Sequence, residues 1–191
     1  FEPVLDERMI VYTYMSVDQS SVEPNFDQSE DYEILMSRLL YVDRRGDEYR
    51  YEAEFTREQM RRLGQLYREH LLPGAAEVVA ALLAADRQVF IVSGGLADAV
   101  RDLGQYLGLP PEHIYAVGTD YDELSGRWWE TWKHRHGNPD ERYAGHDGGP
   151  LTIGSGKLEV VRRLRAEHRG RAMLIGDGTS DLEARAGVEL F

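Results

Sequence analysis

The second half of the chain alternates short apolar runs with longer amphipathic stretches. Residues 88–92 (QVFIV), 114–117 (IYAV) and 171–175 (RAMLI) are apolar runs with the length of buried strands. Helix-type stretches lie between them, and this alternation at short spacing predicts βαβ units around a parallel sheet. The predicted helices are Gly74–Asp86, Leu96–Leu107, Lys157–His168 and Ser180–Ala186, and Val188–Phe191 is expected to start another strand.

The N-terminal third has a different texture. Met9–Val17 (MIVYTYMSV) consists largely of residues with high strand propensity. Leu40–Asp43 and Glu48–Phe55 flank a turn-type sequence and predict a β-hairpin. The sequence TREQ matches a capping box and predicts a helix over Thr56–His70. Residues 119–149 contain several Gly and Pro turn signals, so we expect hairpins or irregular loops there.

Composition narrows the classes of partner. The chain has 191 residues, no cysteine and a formal net charge of −12. Disulfides and cysteine-based zinc sites are therefore excluded, and long-range repulsion disfavours nucleic acid and anionic membranes as partners. No apolar run approaches the roughly 20 residues of a membrane span. A cytoplasmic location is the default expectation, and oligomerisation stays open.

Two candidate phosphate contacts fall where a strand-type run meets a helix-type stretch. In open α/β sheets, ligands bind at the carboxyl ends of the strands. Ser93, Gly94 and Gly95 follow QVFIV, and a hydroxyl with backbone N–H groups at a helix start suits phosphate oxygens. Lys157 begins its helix against the favourable dipole sign, which suggests that its charge neutralises a nearby phosphate or carboxylate. Taken alone, the alternative for residues 93–95 is an ordinary turn, and the alternative for Lys157 is a solvated surface side chain.

A third candidate site follows RAMLI. Asp177 and Asp181 lie four residues apart in a glycine-flanked segment, GDGTSD. Carboxylate oxygens are the ligands that Mg²⁺ prefers, and glycine allows a tight turn around a bound group. The alternative is a polar loop with an Asp helix cap. The spacing predicts a magnesium site.

Together these segments resemble a known family. IVSGG, GSGK and IGDGTSD, in this order, resemble motifs two, three and four of the haloacid dehalogenase superfamily. The flanks LLPGAAEVVAALLAADRQVFIVSGGLADAV, GSGKLEVVRRL and MLIGDGTSDLEA resemble the phosphoserine phosphatases, so the resemblance covers residues 73–191 with gaps. It implies an α/β fold with a doubly wound parallel sheet, the Rossmann-like core of this superfamily, and a small inserted cap.

The resemblance also implies a role for each residue. Ser93 and the Gly94 amide would hold the transferring phosphoryl group, and Lys157 would neutralise the phosphate and the nucleophile. Asp177 would ligate Mg²⁺, and Asp181 would support the metal site or Lys157. The implied activity is Mg²⁺-dependent hydrolysis of a small phosphorylated metabolite through an aspartyl phosphate.

The first motif of the family, Asp-x-Asp-x-Thr, does not occur in the chain. The best match is SVDQS, in which Ser16 stands at the nucleophile and Asp18 at the general acid/base, which is also a metal-site position. Serine cannot form an aspartyl phosphate. The match therefore predicts either a phosphatase that is inactive at residue 16 or a catalytically dead module that still binds phosphate.

The two readings of the N-terminal segment divide the chain differently. With Ser16 in the first motif, residues 1–20 hold the first core strand, 21–72 the cap, and 73–191 the core with an insert at 119–149. Alternatively, the first motif lies before Phe1, and Met9–Val17 is a cap strand that pairs with the predicted hairpin.

Two further features concern specificity and surfaces. The family's cap glutamate for the serine amine has no clear equivalent in the corresponding stretch, residues 22–25 (VEPN), which leaves phosphoserine specificity open. Trp128, Trp129 and Trp132 precede a basic segment, KHRH. We expect these indoles to pack against the core or at an oligomer face, and binding of a substrate's organic part is the alternative.

Overall fold

A four-stranded parallel sheet forms the centre of the molecule, with strand order β5-β4-β1-β8. The computed structural model describes residues 8–12, 42–45, 48–51, 55–135, 137–176 and 178–191. The strands are β1 (Arg8–Tyr12), β2 (Val42–Arg45), β3 (Glu48–Tyr51), β4 (Gln88–Leu96), β5 (Ile114–Val117), β6 (Thr119–Asp122), β7 (Arg142–His146) and β8 (Arg171–Ile175). The α-helices are α1 (Arg57–Glu69), α2 (Ala75–Ala84), α3 (Ala97–Tyr106), α4 (Gly156–Glu167) and α5 (Thr179–Ala184).

Strand β1 lies inside the sheet, parallel to β4 on one side and to β8 on the other. Tyr12, its last residue, pairs with Ile91 and with Ile175. The alternative in which this segment pairs with the hairpin β2–β3 is therefore wrong for Arg8–Tyr12, since β2 and β3 form a separate antiparallel pair. Because β1 runs parallel to β4 and β8, its carboxyl end faces the same edge of the sheet as theirs.

Both faces of the sheet are covered by helices. Side chains of β4 alternate between two buried clusters, as the pleat of a strand requires. The cluster on one face joins the sheet to α2 and α3 and contains Val79, Val89, Ile91, Val100, Leu109 and Ile114. The cluster on the other face joins it to α4 and α5 and contains Phe90, Val92, Val160, Val161, Leu164, Ala172, Leu174 and Ala184. The predicted doubly wound α/β fold is confirmed.

Local sequence signals account for the start of α1 and the end of α3. The capping box at Thr56 is present: the Gln59 N–H donates to Thr56 Oγ1, and the Thr56 N–H donates to Gln59 Oε1. The chain reverses after α3 at Gly108, whose φ of 82° favours glycine. One expectation is corrected. The sequence predicts a turn at residues 93–95, whereas β4 stays extended to Leu96, with a register shift between Val92 and Leu96.

Two antiparallel pairs stand outside the central sheet. The predicted hairpin appears as β2–β3, and the segment 119–149 contains the hairpin β6–β7 with the 3₁₀ helix Trp128–Lys133 between its strands. Helix α1 packs on α3 through a third buried cluster, in which Met60 and Leu63 contact Ala99. The proposed cap limits, 21–72, stay a prediction. Within the described residues, no helix has the length and apolarity needed to cross a membrane.

Candidate active site at the carboxyl edge of the sheet

Ser93 lies near the carboxyl end of β4 and is buried, with 3% of its surface exposed. Its Oγ accepts the Gly95 N–H at 3.0 Å. A hydroxyl that accepts one hydrogen bond still has its own proton to donate. This contact therefore orients the Ser93 hydroxyl as a donor at the sheet edge.

Lys157 occupies the first turn of α4 and is only 8% exposed. Its Nζ donates to Asp181 Oδ1 at 2.6 Å. A buried ammonium is stable only when paired, and the carboxylate also offsets the unfavourable helix-dipole position. The sequence predicts that the Lys157 charge neutralises a nearby phosphate or carboxylate, and in the fold the Asp181 carboxylate lies against it.

Asp181 joins α4 to the turn that follows β8. It is 1% exposed, and its second oxygen, Oδ2, accepts the Gly178 N–H at 3.0 Å. Both carboxylate oxygens are therefore engaged, one by Lys157 and one by the backbone of the turn. Of the two roles predicted for Asp181, this geometry favours support of Lys157.

A short backbone segment, Pro150–Leu151, lies against both the end of the Ser93 strand and the start of α4. A Cβ on Gly156 would lie 1.6 Å from the Pro150 carbonyl oxygen, and a Cβ on Gly94 would lie 3.4 Å from the Leu151 carbonyl oxygen. Only glycine fits at 156, since real Cβ contacts are never that short. The segment Pro150–Leu151 thus lies against both glycines, which brings Ser93 and Lys157 to one region of the molecule.

Three predicted site residues, Ser16, Asp18 and Asp177, lie outside the described residues. Their described chain neighbours are Tyr12 at the end of β1, and Gly176 and Gly178 after β8. In the part of the chain that the structure describes, no group of three or more acidic or histidine residues is arranged to hold a metal ion. The predicted magnesium site, which includes Asp18 and Asp177, stays a prediction.

The sequence analysis missed a polar contact in the helix that follows the Ser93 strand. Asp98, in the first turn of α3, accepts hydrogen bonds at Oδ2 from Tyr121 Oη at 2.5 Å and from Thr119 Oγ1 at 3.2 Å. Burial, followed by the hydrogen bond and the negative charge of Asp98, raises the pKa of Tyr121. An acidic residue in a first helical turn is common, so no sequence signal marked Asp98. These bonds tie β6 to the helix that begins three residues after Gly94.

A second polar contact fixes the far strand of the hairpin. Arg57 donates through Nε and Nη2 to Glu141 Oε2 at 2.9 and 2.7 Å, and the Asn138 N–H donates to Oε1 at 3.1 Å. The Arg57 guanidinium also lies over the Tyr121 ring, 3.9 Å from its centroid. The hairpin is thereby held to α1 as well as to α3.

The model of the haloacid dehalogenase-like hydrolases matches residues 26–185 of this chain. The chain belongs to this family. The resemblance expected from the three motifs is thus confirmed, and the match extends N-terminally of residue 73.

Related proteins within the haloacid dehalogenase-like family are phosphoserine phosphatases. The human protein is 30% identical over 138 residues, covering 71% of this chain and 54% of that protein, and the Bos taurus protein is 29% identical with the same coverage. The chain therefore spans about half the length of these curated relatives.

Solved structures show the same fold at low sequence identity. The phospho-aspartyl intermediate analogue of phosphoserine phosphatase is 16% identical and matches 96% of this chain and 84% of that chain, with a TM-score of 0.50. DsGPDH of Dunaliella salina is 19% identical and matches 95% of this chain and 29% of that chain, with a TM-score of 0.58. Both matches support the α/β fold.

Proposed function

We propose that this chain is a phosphomonoester hydrolase of the phosphoserine phosphatase type, whose substrate is a small phosphorylated metabolite. The observation that carries the proposal is the buried Lys157–Asp181 pair beside the Ser93 strand end, at the carboxyl edge of a parallel sheet. Such edges bind ligands in α/β folds. The phosphoserine phosphatase relatives support the reaction class.

The described residues would hold and neutralise the phosphoryl group. Ser93 donates its hydroxyl proton to one phosphoryl oxygen, and the Gly94 N–H donates to another. Lys157 offsets the negative charge that builds up during transfer. Fixed donors in a largely desolvated site stabilise such charge far better than water does. Asp181 keeps the Lys157 ammonium in place.

The cation of the proposed site is Mg²⁺, held by Asp177 and Asp18. Two carboxylates fit a hard cation, which would neutralise charge on the phosphoryl oxygens when bound. Asp181, whose two oxygens bond Lys157 and Gly178, would orient the turn between β8 and α5. Its part in metal binding is indirect in this proposal.

Two positions that follow β1, 14 and 16, are candidates for the nucleophile. Tyr12 pairs with Ile91 and Ile175, two residues before Ser93 and Asp177. The same count from Tyr12 reaches Tyr14, so Ser16 is two residues further along the chain. Ser16 nevertheless has an acid two residues later, Asp18, as an Asp-x-Asp motif requires. We therefore keep Ser16 as the proposed nucleophile position and test Tyr14 beside it.

A second function is favoured by one specific observation. The chain has no carboxylate at position 14 or 16, whereas Ser93, Gly94 and Lys157 are all present. A protein that keeps these phosphate contacts but lacks the nucleophile would bind phosphate without turning over its ester. The second candidate is therefore a phosphate-ligand-binding module that has lost catalysis.

Phosphate release from a panel of phosphomonoesters with Mg²⁺ tests both candidates. The parent chain should turn over very slowly, because a serine at position 16 cannot form the aspartyl phosphate. Ser16→Asp should raise the rate by orders of magnitude and form a hydroxylamine-sensitive acyl phosphate. Asp18→Asn in that background should remove most of the gain, since nucleophile and acid act as a unit.

A matched double variant, Tyr14→Asp with Ser16→Asp, shifts the restored pair to the level of Ser93 and Asp177. Activity in the double variant, with none in Ser16→Asp, would assign the nucleophile to position 14. If both forms stay inert while inorganic phosphate binds in a Lys157-dependent manner, the binding module is correct. Absence of phosphate binding together with inertness would remove both candidates.

A further inference from the structure

The three tryptophans of the protein all lie in one short 3₁₀ helix, Trp128–Lys133, between β6 and β7. The sequence leads us to expect these side chains in the core or at an oligomer face. The structure excludes the core, since Trp128, Trp129 and Trp132 are 53%, 57% and 82% exposed. Exposure of this many indoles on one element is unusual for a free surface.

The three indoles form one surface, which we call the tryptophan patch (Trp128, Trp129 and Trp132). Trp128 and Trp129 meet edge to face, with ring centroids 5.9 Å apart. Trp129 and Trp132 are three residues apart, and side chains at this spacing eclipse each other in a 3₁₀ helix. The apolar area is therefore contiguous.

The backbone beneath the patch is held in place. Thr131 Oγ1 donates to the Trp128 carbonyl at 2.7 Å, and Arg127 Nε donates to Asp140 Oδ2 at 2.7 Å across the hairpin. The Arg57–Glu141 contact fixes the strand that follows. A preordered aromatic surface loses little conformational entropy when it binds a partner.

We propose that the tryptophan patch is a two-fold interface with a second copy of this chain. One Trp side chain can bury up to about 250 Å². The exposed area of the three indoles is therefore on the order of 450 Å² on each copy. A standard interface buries roughly 800 Å² per partner. The indoles supply about half of that area, and Trp is one of the residue types enriched among residues that dominate binding energy. The surrounding polar side chains supply the rest.

Charge favours a second copy over other occupants. Arg127 pairs with Glu130 and Asp140, and Lys133 pairs with Glu130, so both signs border the patch. A two-fold interface places a patch against itself and needs such mixed charge. The chain as a whole has a formal net charge of −12, which repels anionic partners. The same charge makes the two copies repel at long range, so added salt should tighten the dimer.

Sedimentation equilibrium combined with tryptophan emission, over a dilution series, tests the proposal. Because every tryptophan lies in the patch, emission reports on this surface alone. On dilution, the mass should fall from dimer to monomer, and the emission should shift to longer wavelength over the same concentration range. Raising the salt concentration should move both transitions to lower protein concentration.

Variants assign the interface to the indoles. Trp132→Ala and, separately, Trp129→Ala should weaken the dimer about tenfold or more. Leu72→Ala, which shortens an exposed apolar side chain outside this hairpin, should leave the dimer unchanged. Circular dichroism of each variant checks that the fold is retained, as expected for exposed positions.

Three results would overturn the proposal. One is a monomer with long-wavelength emission at every concentration. Another is a dimer that both tryptophan variants leave intact. The third is a monomer whose emission shifts to shorter wavelength only when zwitterionic lipid vesicles are added, which would assign the patch to a membrane surface.

Discussion

At the scale of single residues, the site depends on one buried ion pair. Lys157 and Asp181 bond at 2.6 Å with side chains 10% and 1% exposed. Each charge loses its water on folding and is stabilised mainly by the other. Removing either partner therefore leaves an uncompensated buried charge, whereas removing both does not.

We expect Asp181→Asn to lower the free energy of unfolding by about 3–5 kcal/mol, because Lys157 then lacks its counter-charge. The double variant Lys157→Met with Asp181→Asn should recover most of the loss, since the amide oxygen can still accept the Gly178 N–H. Urea unfolding measures both. Lys133→Met, which removes an exposed ion pair with Glu130, serves as the control and should unfold like the parent. Losses that simply add in the double variant would show that the pair is not coupled.

At the scale of elements, the hairpin β6–β7 is coupled to the helix that follows the Ser93 strand end. Tyr121 bonds Asp98 of α3, and Arg57 of α1 bonds Glu141 before β7. These contacts join three elements that are far apart in sequence. The hairpin therefore positions the start of α3, and through it the end of β4 that carries Gly94 and Gly95.

The Tyr121 contact predicts a pH dependence. Its pKa is raised in the folded protein, so the folded state keeps the phenol proton longer than the unfolded state, whose phenol titrates near 10.0. Stability should therefore fall as pH rises above about 10. Tyr121→Phe should lower stability by about 1–2 kcal/mol at neutral pH through loss of one hydrogen bond to a carboxylate. It should also make the decline above pH 10 shallower.

Urea unfolding across a series of pH values up to 11 checks this expectation. Tyr106→Phe is a matched control, because Tyr106 is exposed, and it should show the slope of the parent. An unchanged slope in Tyr121→Phe would mean that another group causes the alkaline decline.

At the scale of the whole molecule, the position of β1 decides how the N-terminal segment joins the core. In the sheet order β5-β4-β1-β8, it has a hydrogen-bonded neighbour on each side. A strand in this position is released only when the sheet opens, whereas a separate two-stranded hairpin can open alone.

We therefore expect the amides of Met9–Tyr12 to exchange with solvent as slowly as those of Val89–Ile91. The amides of Glu48–Tyr51, in the hairpin β2–β3, should exchange much faster. Hydrogen exchange read by mass spectrometry on peptides from these three segments measures the order. Equal, fast exchange in Met9–Tyr12 and Glu48–Tyr51 would contradict the central position of β1.

The sequence by itself determined the features that depend on neighbours along the chain. Strands Ile114–Val117 and Arg171–Ile175 have the predicted bounds, and the capping box at Thr56 starts α1 as expected. Apolar runs and caps act over a few residues, so local patterns reveal them. The family was likewise indicated by the sequence, because three motifs occur in the family's order along the chain.

The tertiary structure decided what depends on contacts between distant residues. Lys157 is buried because Asp181 lies against it, and Tyr121 is anchored because Asp98 is within reach. The position of β1 between β4 and β8 could not be predicted from the sequence. It also could not separate a core position from a surface position for Trp132. Periodicity reports which side chains share a face of one element, whereas partners and burial are set only when separate elements pack together.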